Sequence, residues 1–231
     1  MWLLRIATLF WSSLVLCFGL ISVPSFLPPR LAALRANEGS PEVVQEVEPC
    51  IFNGVGCVLL AQPGEHDHFL SKAAVFIFEH NERGTQGVIL GRQSAFSLGE
   101  TAPGIGLFAP NALFIGGESG PDMAIMFHKF DLGGYAKNVG GGIYVGGLRQ
   151  ARELVESRSA VPNDFKFIFN NVQWAPGLLQ NEIEQKRWDV IRMPTSLILE
   201  QKMASSIWAK ARNTLRSKGS LLDSDESRED D

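Results

Sequence analysis

Four histidines are the side chains best suited to acid–base or metal chemistry: His66, His68, His80 and His128. His66 and His68 stand two residues apart, so on an extended segment both imidazoles point to one side, a workable start for a metal site. His80 and His128 each follow an apolar run that reads as a strand, and converging strand ends would bring them toward the first pair. A metal-dependent or other hydrolase using these histidines is one reading. Loop histidines satisfied by solvent or backbone are the other.

The remaining chemistry is thinner. No G-x-S-x-G elbow is present, and Gly117-Glu118-Ser119-Gly120 lacks both its spacing and its strand–turn–helix context. Glu82, Glu118, Glu182 and Glu184 offer carboxylates, yet surface solvation accounts for them equally well. Cys50 and Cys57 stand in a C-x6-C spacing that matches no zinc pattern; a disulfide in an oxidising compartment and two idle thiols both stay open. Gly140-Gly141-Gly142 and Gly146-Gly147 lack the Lys-Ser or Lys-Thr of a phosphate loop and the spacing of a dinucleotide fold, and read as tight turns. No cofactor is expected, and the residues favour a non-catalytic role.

The charge of −4 is unevenly placed. Arg5, Arg30 and Arg35 face only Glu38 in the first forty residues, and the last nine hold six acids against Arg228, which leaves the body near neutral. Such a body lacks the electrostatic footprint of sequence-independent nucleic-acid binding.

These groups must be positioned by a body beginning near residue 50. Residues 1–25 form a leader, with Arg5 before the uncharged apolar run Ile6–Val23, and read as a signal peptide or a retained anchor. Residues 26–49 follow as a transit or linker segment: first Phe26 and a basic, acid-poor stretch, then a polar run with Glu42, Glu46 and Glu48. The pattern resembles the two-part plastid leaders of algae with secondary plastids, so plastid import is one expectation; secretion or ER residence, and membrane anchoring, are the others.

Within the body, strands are expected at Val55–Ala61, Ala73–Phe78, Gly87–Leu90, Ala112–Ile115, Met123–His128, Gly142–Val145, Phe165–Phe169 and Asp189–Met193. The run AAVFIF is apolar on both faces, the mark of a doubly buried strand, and pairs with GVIL as a hairpin. Phe165, Phe167 and Phe169 alternate onto one face. Residues 94–111, rich in Gly and Pro, read as irregular, with a short helix or a surface loop. Helices are expected at Gly147–Arg158, from Leu178, and over Leu197–Arg216, where Ala204, Ile207, Trp208, Ala211 and Leu215 share a face while Lys202, Lys210, Arg212 and Arg216 meet solvent. Residues 219–231 read as a disordered acidic tail.

Taken in order, VGCVLLAQP with Asp67 and Phe69, then VFIFEHNERGTQGVIL, FIGGESG, IMFH, GIYVGG and WAPGLLQNEIEQKRW resemble the YqgE/AlgH family across residues 55–192. Departures fall at Gly91-Arg92-Gln93, at Glu118 after Gly116-Gly117, at Asn170-Asn171-Val172 and at Leu178-Leu179-Gln180. The resemblance implies an α+β domain over residues 50–218, a mixed, barrel-like sheet surrounded by helices. It confers no established enzyme activity; bacterial relatives have been linked to transcriptional regulation of exopolysaccharide production without a recognisable DNA-binding motif. The expected role is a non-catalytic binding or regulatory protein. Its partner would be an unidentified protein or small molecule; nucleic acid is not expected, and a membrane only if the leader is retained. The expected site joins Glu79, His80 and Gly87, Gly116 and Gly117, His128, and Trp174, Glu182 and Trp188, with glycine amides forming a pocket and Glu79, His80 and His128 a polar wall.

Overall fold

The computed structural model describes residues 45–66, 68–202 and 206–226. The expected leader, and the linker up to residue 44, lie outside them. Among the described residues no helix is long and apolar enough to cross a membrane.

Two half-sheets share one strand. The first runs in the order β1 (Glu48–Pro49), β11 (Trp188–Arg192), β2 (Val58–Ala61), β3 (Ala74–Asn81) and β4 (Gly84–Ile89), antiparallel throughout. β4 then pairs with the end of β10 (Lys166–Trp174), and the start of β10 pairs with β7 (Ser119–His128), which leads to β9 (Tyr144–Gly146) and β8 (Ala136–Asn138). On the edge of β10 that β4 leaves free, β6 (Ala112–Ile115) adds in parallel and carries β5 (Gln93–Ser97). The sheet is thus mixed through one parallel pair, and among the described residues its two ends, β1 and β8, do not pair with each other. The α+β architecture is as expected; the closure of a barrel is not part of the pairing.

The change of partner along β10 has a local cause. Asn170 adopts a left-handed backbone, φ +59°, between the two paired stretches, and the register shifts there. Asparagine tolerates this conformation because its short amide can bond locally; here its Oδ1 accepts the Asp122 N–H at 3.1 Å.

Alternation along the strands distributes three cores. Ala74, Phe76 and Phe78 of β3 face inward with Val58 and Leu60, and meet Phe114, Phe127 and Ile168 of the other half. Phe127 sits edge-on to Phe76 at 6.3 Å and to Phe78 at 5.8 Å, so the sheet curls over this core. Val75 and Ile77 point the other way, joining Leu59, Trp174 and Trp188 under α3 (Leu178–Glu184). Beneath α2 (Leu148–Glu156), Ala151 and Leu154 cover Phe108, Phe165 and Phe167, with Phe169 beside them. The doubly buried β3 and the one-sided phenylalanines are therefore as their patterns predict.

One stretch is partly as expected and another differs. Residues 94–111 hold the short helix expected there, α1 (Leu98–Thr101), and also most of β5 and a 3-10 turn at Gly106–Phe108. The single helix expected over Leu197–Arg216 is two, α4 (Thr195–Ile198) and α5 (Ile207–Glu226). Between them the carbonyls of Ile198 and Glu200 turn to the ammonium of Lys166, at 3.0 and 2.8 Å. Ile207 and Ala211 are buried as predicted, whereas Ala204 lies outside the described residues. Arg212, expected in solvent, instead reaches Asp189 Oδ2 at 2.6 Å and the Ala61 carbonyl at 2.9 Å. α5 continues to Glu226, into the stretch expected as a tail.

Candidate functional site

The β3–β4 hairpin turns through Glu82 and Arg83, between the paired residues Asn81 and Gly84. Gly84, at φ +124°, lies where a side chain would collide with the Trp174 carbonyl, so glycine lets the end of β10 close on the turn. The turn is braced from within: Asn81 donates to Glu79 Oε1 at 2.7 Å, and the Arg83 N–H donates to Asn81 Oδ1 at 2.8 Å. Opposite strands bring His80 Nδ1 and Thr85 Oγ1 to 2.8 Å, and the His80 ring packs edge-on against Phe52 at 5.3 Å.

Two concavities meet at Thr85. One, about 210 Å3, is lined by Glu79, Asn81, Arg83, Gln86, Gln173 and Trp174. The other, about 410 Å3, is lined by Phe52, Asn53, Gly54, His80, Gly177 and Gln180. Of the expected site residues, Glu79, His80 and Trp174 thus gather here. Thr85 and Gly177 fall inside the expected Glu79–Gly87 turn and Trp174–Trp188 segment without being singled out, and sequence reasoning missed Phe52; the polar Thr85-Gln86 beside the apolar Gly87-Val88-Ile89 was the available signal for Thr85.

Glu182 and Trp188 sit just beneath, in a structural clamp. Trp174 Nε1 and Trp188 Nε1 both donate to Glu182 Oε2, at 3.1 and 2.8 Å, and Arg187 donates to Oε1 at 3.3 Å. The indoles cross edge-on at 6.1 Å. Both carboxylate oxygens are committed, so this group holds the α3–β11 connection to β10 rather than facing a ligand. His66 completes the clamp: its ring lies 4.1 Å from that of Trp188, and its Nε2 meets the Arg187 carbonyl at 3.0 Å, which places the proton on Nε2.

Four expected members stand elsewhere. Gly87 fits against β3, where an added Cβ would meet Val75 Cγ1 at 2.6 Å; its role is packing. Gly116 donates its amide to the Phe169 carbonyl at 2.8 Å and accepts from the Ile89 N–H at 2.8 Å, so it forms no amide pocket. Gly117 lies so close to the Asn171 backbone that no side chain fits. His128, at the far end of β7, is fully buried in the other half-sheet, because β7 pairs with β10 and β9 there. Its Nε2–H donates to the Gly146 carbonyl at 3.0 Å and its Nδ1 accepts the Phe130 N–H at 3.3 Å. Burial pushes its pKa down, so the ring is held neutral.

The histidines therefore keep separate partners. His68 is exposed at a left-handed turn, φ +48°, and among the described residues no three His, Cys, Asp or Glu side chains are grouped to hold a metal. Cys50 and Cys57 are free thiols. The Cys57 thiol donates to Asn53 Oδ1 at 3.0 Å, and the proximity of the two sulfurs pushes Cys57 down and Cys50 up.

Sequence and fold comparisons agree with this architecture. A family model described as AlgH-like matches residues 58–219. A UPF0301 protein of Mycolicibacterium gilvum is 28% identical over 165 residues, covering 67% of this chain and 78% of that one. A UPF0301 protein of Coxiella burnetii is 24% identical over 161 residues, covering 66% and 84%. Among solved structures, the crystal structure of a Corynebacterium diphtheriae protein superposes with a TM-score of 0.59 at 21% identity, covering 69% of this chain and 86% of that one. The solution structure of the AlgH protein from Pseudomonas aeruginosa gives 0.56 at 19%, covering 72% and 91%. At these identities the structural likeness is one of fold. The family match takes in every strand from β2 to β11, and the chain belongs to the AlgH-like family.

Proposed function

We propose that this protein is a non-catalytic binding domain, with a regulatory role, that recognises a polar segment of a partner protein at the β3–β4 hairpin. The observation that carries the reading is the meeting of two concavities at Thr85, walled by carboxylate, guanidinium and amide groups on a braced turn. Such fixed polar groups set orientation and specificity. Glu182 beneath them and His128 in the other half-sheet both have their polar atoms engaged, which argues for scaffold rather than acid–base roles.

Gln173 and Gln180 are exposed and line one concavity each, so Gln173→Trp and Gln180→Trp fill the site without entering the core. Native mass spectrometry of the full chain from its own cells is expected to show a stoichiometric partner that both variants lose. A bare wild-type mass, or retention by both variants, overturns the reading. A second reading, hydrolysis, draws on the His80–Thr85 contact alone; it requires an esterase activity that Thr85→Val abolishes. The curl of the sheet over Phe76, Phe78 and Phe127 supports describing the fold as barrel-like. For residues 1–49 we propose plastid import through a signal-peptide-first leader, supported by their composition; a fluorescent fusion confined to the secretory path would refute it.

A further inference from the structure

A third concavity lies on the outer face of β6, β7 and β10, and shares no lining residue with the hairpin site. It is a groove of about 550 Å3. Leu113, Met126 and Phe167 are buried and form its floor, while Met123, at 62% exposure, and Leu148, at 37%, stand at its rim. The apolar floor follows from strand alternation, since Phe167 of β10 and Met126 of β7 are cross-strand partners on one face. A volume in the hundreds of cubic ångströms with an apolar lining and few polar groups is the general form of a small-molecule site.

One charged side chain lines the groove, Asp122. Its placement is enforced. Asp122 has a left-handed backbone, φ +53°, and so does Asn170 across from it, φ +59°. The two are tied reciprocally: Asn170 Oδ1 accepts the Asp122 N–H at 3.1 Å, and Asn170 Nδ2 donates to Asp122 Oδ1 at 3.4 Å. Gly120, at φ +133°, lets β7 approach, since an added Cβ would stand 3.0 Å from Asn170 Oδ1. Left-handed conformations at non-glycine residues cost free energy and persist where the surroundings over-determine them. Among the described residues Asp122 has no ion-pair partner. An apolar floor with a single, positioned, unpaired carboxylate at the rim is complementary to a molecule that joins apolar bulk to one positive charge.

We propose that this groove binds amphipathic small molecules in which an apolar chain or ring carries a cationic nitrogen. The cation meets Asp122, and the apolar part lies over Leu113, Met126 and Phe167. The charge selects among ligands; the floor supplies most of the affinity, because an exposed ion pair contributes little.

The test titrates the full chain with dodecyltrimethylammonium and with dodecanoate, each below its micelle concentration, by calorimetry. The cationic probe is expected to bind saturably at one site and more tightly than the anionic one. Asp122→Asn weakens it about fivefold, the size of an exposed ion pair, and removes the preference. Ala124→Trp fills the groove from the strand side and Ala102→Trp from the loop after α1, and each abolishes binding. If Ala124→Trp does not fold, Ala102→Trp, at a partly exposed loop position, decides the point. Absence of saturable binding, dodecanoate binding as tightly as the cation, or a folded tryptophan variant that still binds would each overturn the proposal.

Discussion

Replacing Lys166 with methionine should remove a specific alkaline gain in stability. Lys166 is 1% exposed on β10, pointing into the core between the half-sheets. Its ammonium donates to the Ile198 and Glu200 carbonyls at 3.0 and 2.8 Å and lies 4.5 Å over the Phe114 ring. The Glu200 carboxylate is occupied by Lys210 at 2.8 Å, so it only partly compensates the buried charge. Desolvation therefore lowers the Lys166 pKa from 10.5 to about 8. Between those values the unfolded chain holds a proton that the folded chain has released, so unfolding free energy rises with pH across that window. At about 1.4 kcal/mol per unit, the full gain is about 3 kcal/mol. Below pH 8 both states are protonated and the penalty is constant. Lys166→Met forfeits the two carbonyl hydrogen bonds at every pH, a fixed cost of roughly 1–3 kcal/mol, but has no proton to lose. Urea unfolding of both proteins from pH 7 to 10, followed by tryptophan fluorescence, isolates the lysine, because other titrations cancel in the difference. The wild type should gain on the variant steadily above pH 8. Parallel stability curves would refute the reasoning.

Two further outcomes are expected. Glu182→Gln replaces a carboxylate that accepts two indole N–H groups and one guanidinium; it should cost about 2 kcal/mol in urea unfolding and alter near-ultraviolet circular dichroism as the indoles lose their anchor, and unchanged stability and spectrum would contradict the clamp. His128, buried and neutral, has a pKa below that of the unfolded chain; its share of stability is complete above about pH 6.5 and is lost as pH falls toward the folded value. His128→Gln keeps a donor and an acceptor without titrating, so its melting temperature should fall less between pH 7.5 and 5.5; an equal fall would exclude His128 as the source.

What could be read from residue order was whatever depends on near neighbours. The doubly apolar β3, the hairpin after it and the phenylalanines at 165, 167 and 169 carry their periodicity with them. Lys166 did not, because a lysine among strand residues reads as solvent-facing; its burial follows from where α4 ends. His128 misled for a related reason: strand ends do gather, but β7 ends in the second half-sheet, away from the hairpin, and although Asn170-Asn171 marks a break in the strand, residue order does not say which strands flank it on either side. The Trp174–Glu182–Trp188 arrangement has helical spacing in part, and only the return of β11 beside β2 shows that its polar atoms face one another. Arg212 belongs to the same class, a cation recruited by Asp189 from another element.

The sharing of β10 between two half-sheets also bears on how the chain is made. On the ribosome, β2, β3, β4, β6 and β7 all emerge before the strand that joins β4 to β7 exists. Until Trp174 leaves the exit tunnel, the nascent chain carries bare strand edges on β4, β6 and β7, flanked by phenylalanine-rich faces without their partners. Long-range pairing of this kind completes slowly, and open edges are templates for association. Ribosomal stalling before Phe165 would therefore release fragments prone to aggregate, and a chaperone that holds the emerging β3–β4 hairpin would have its greatest effect in that interval.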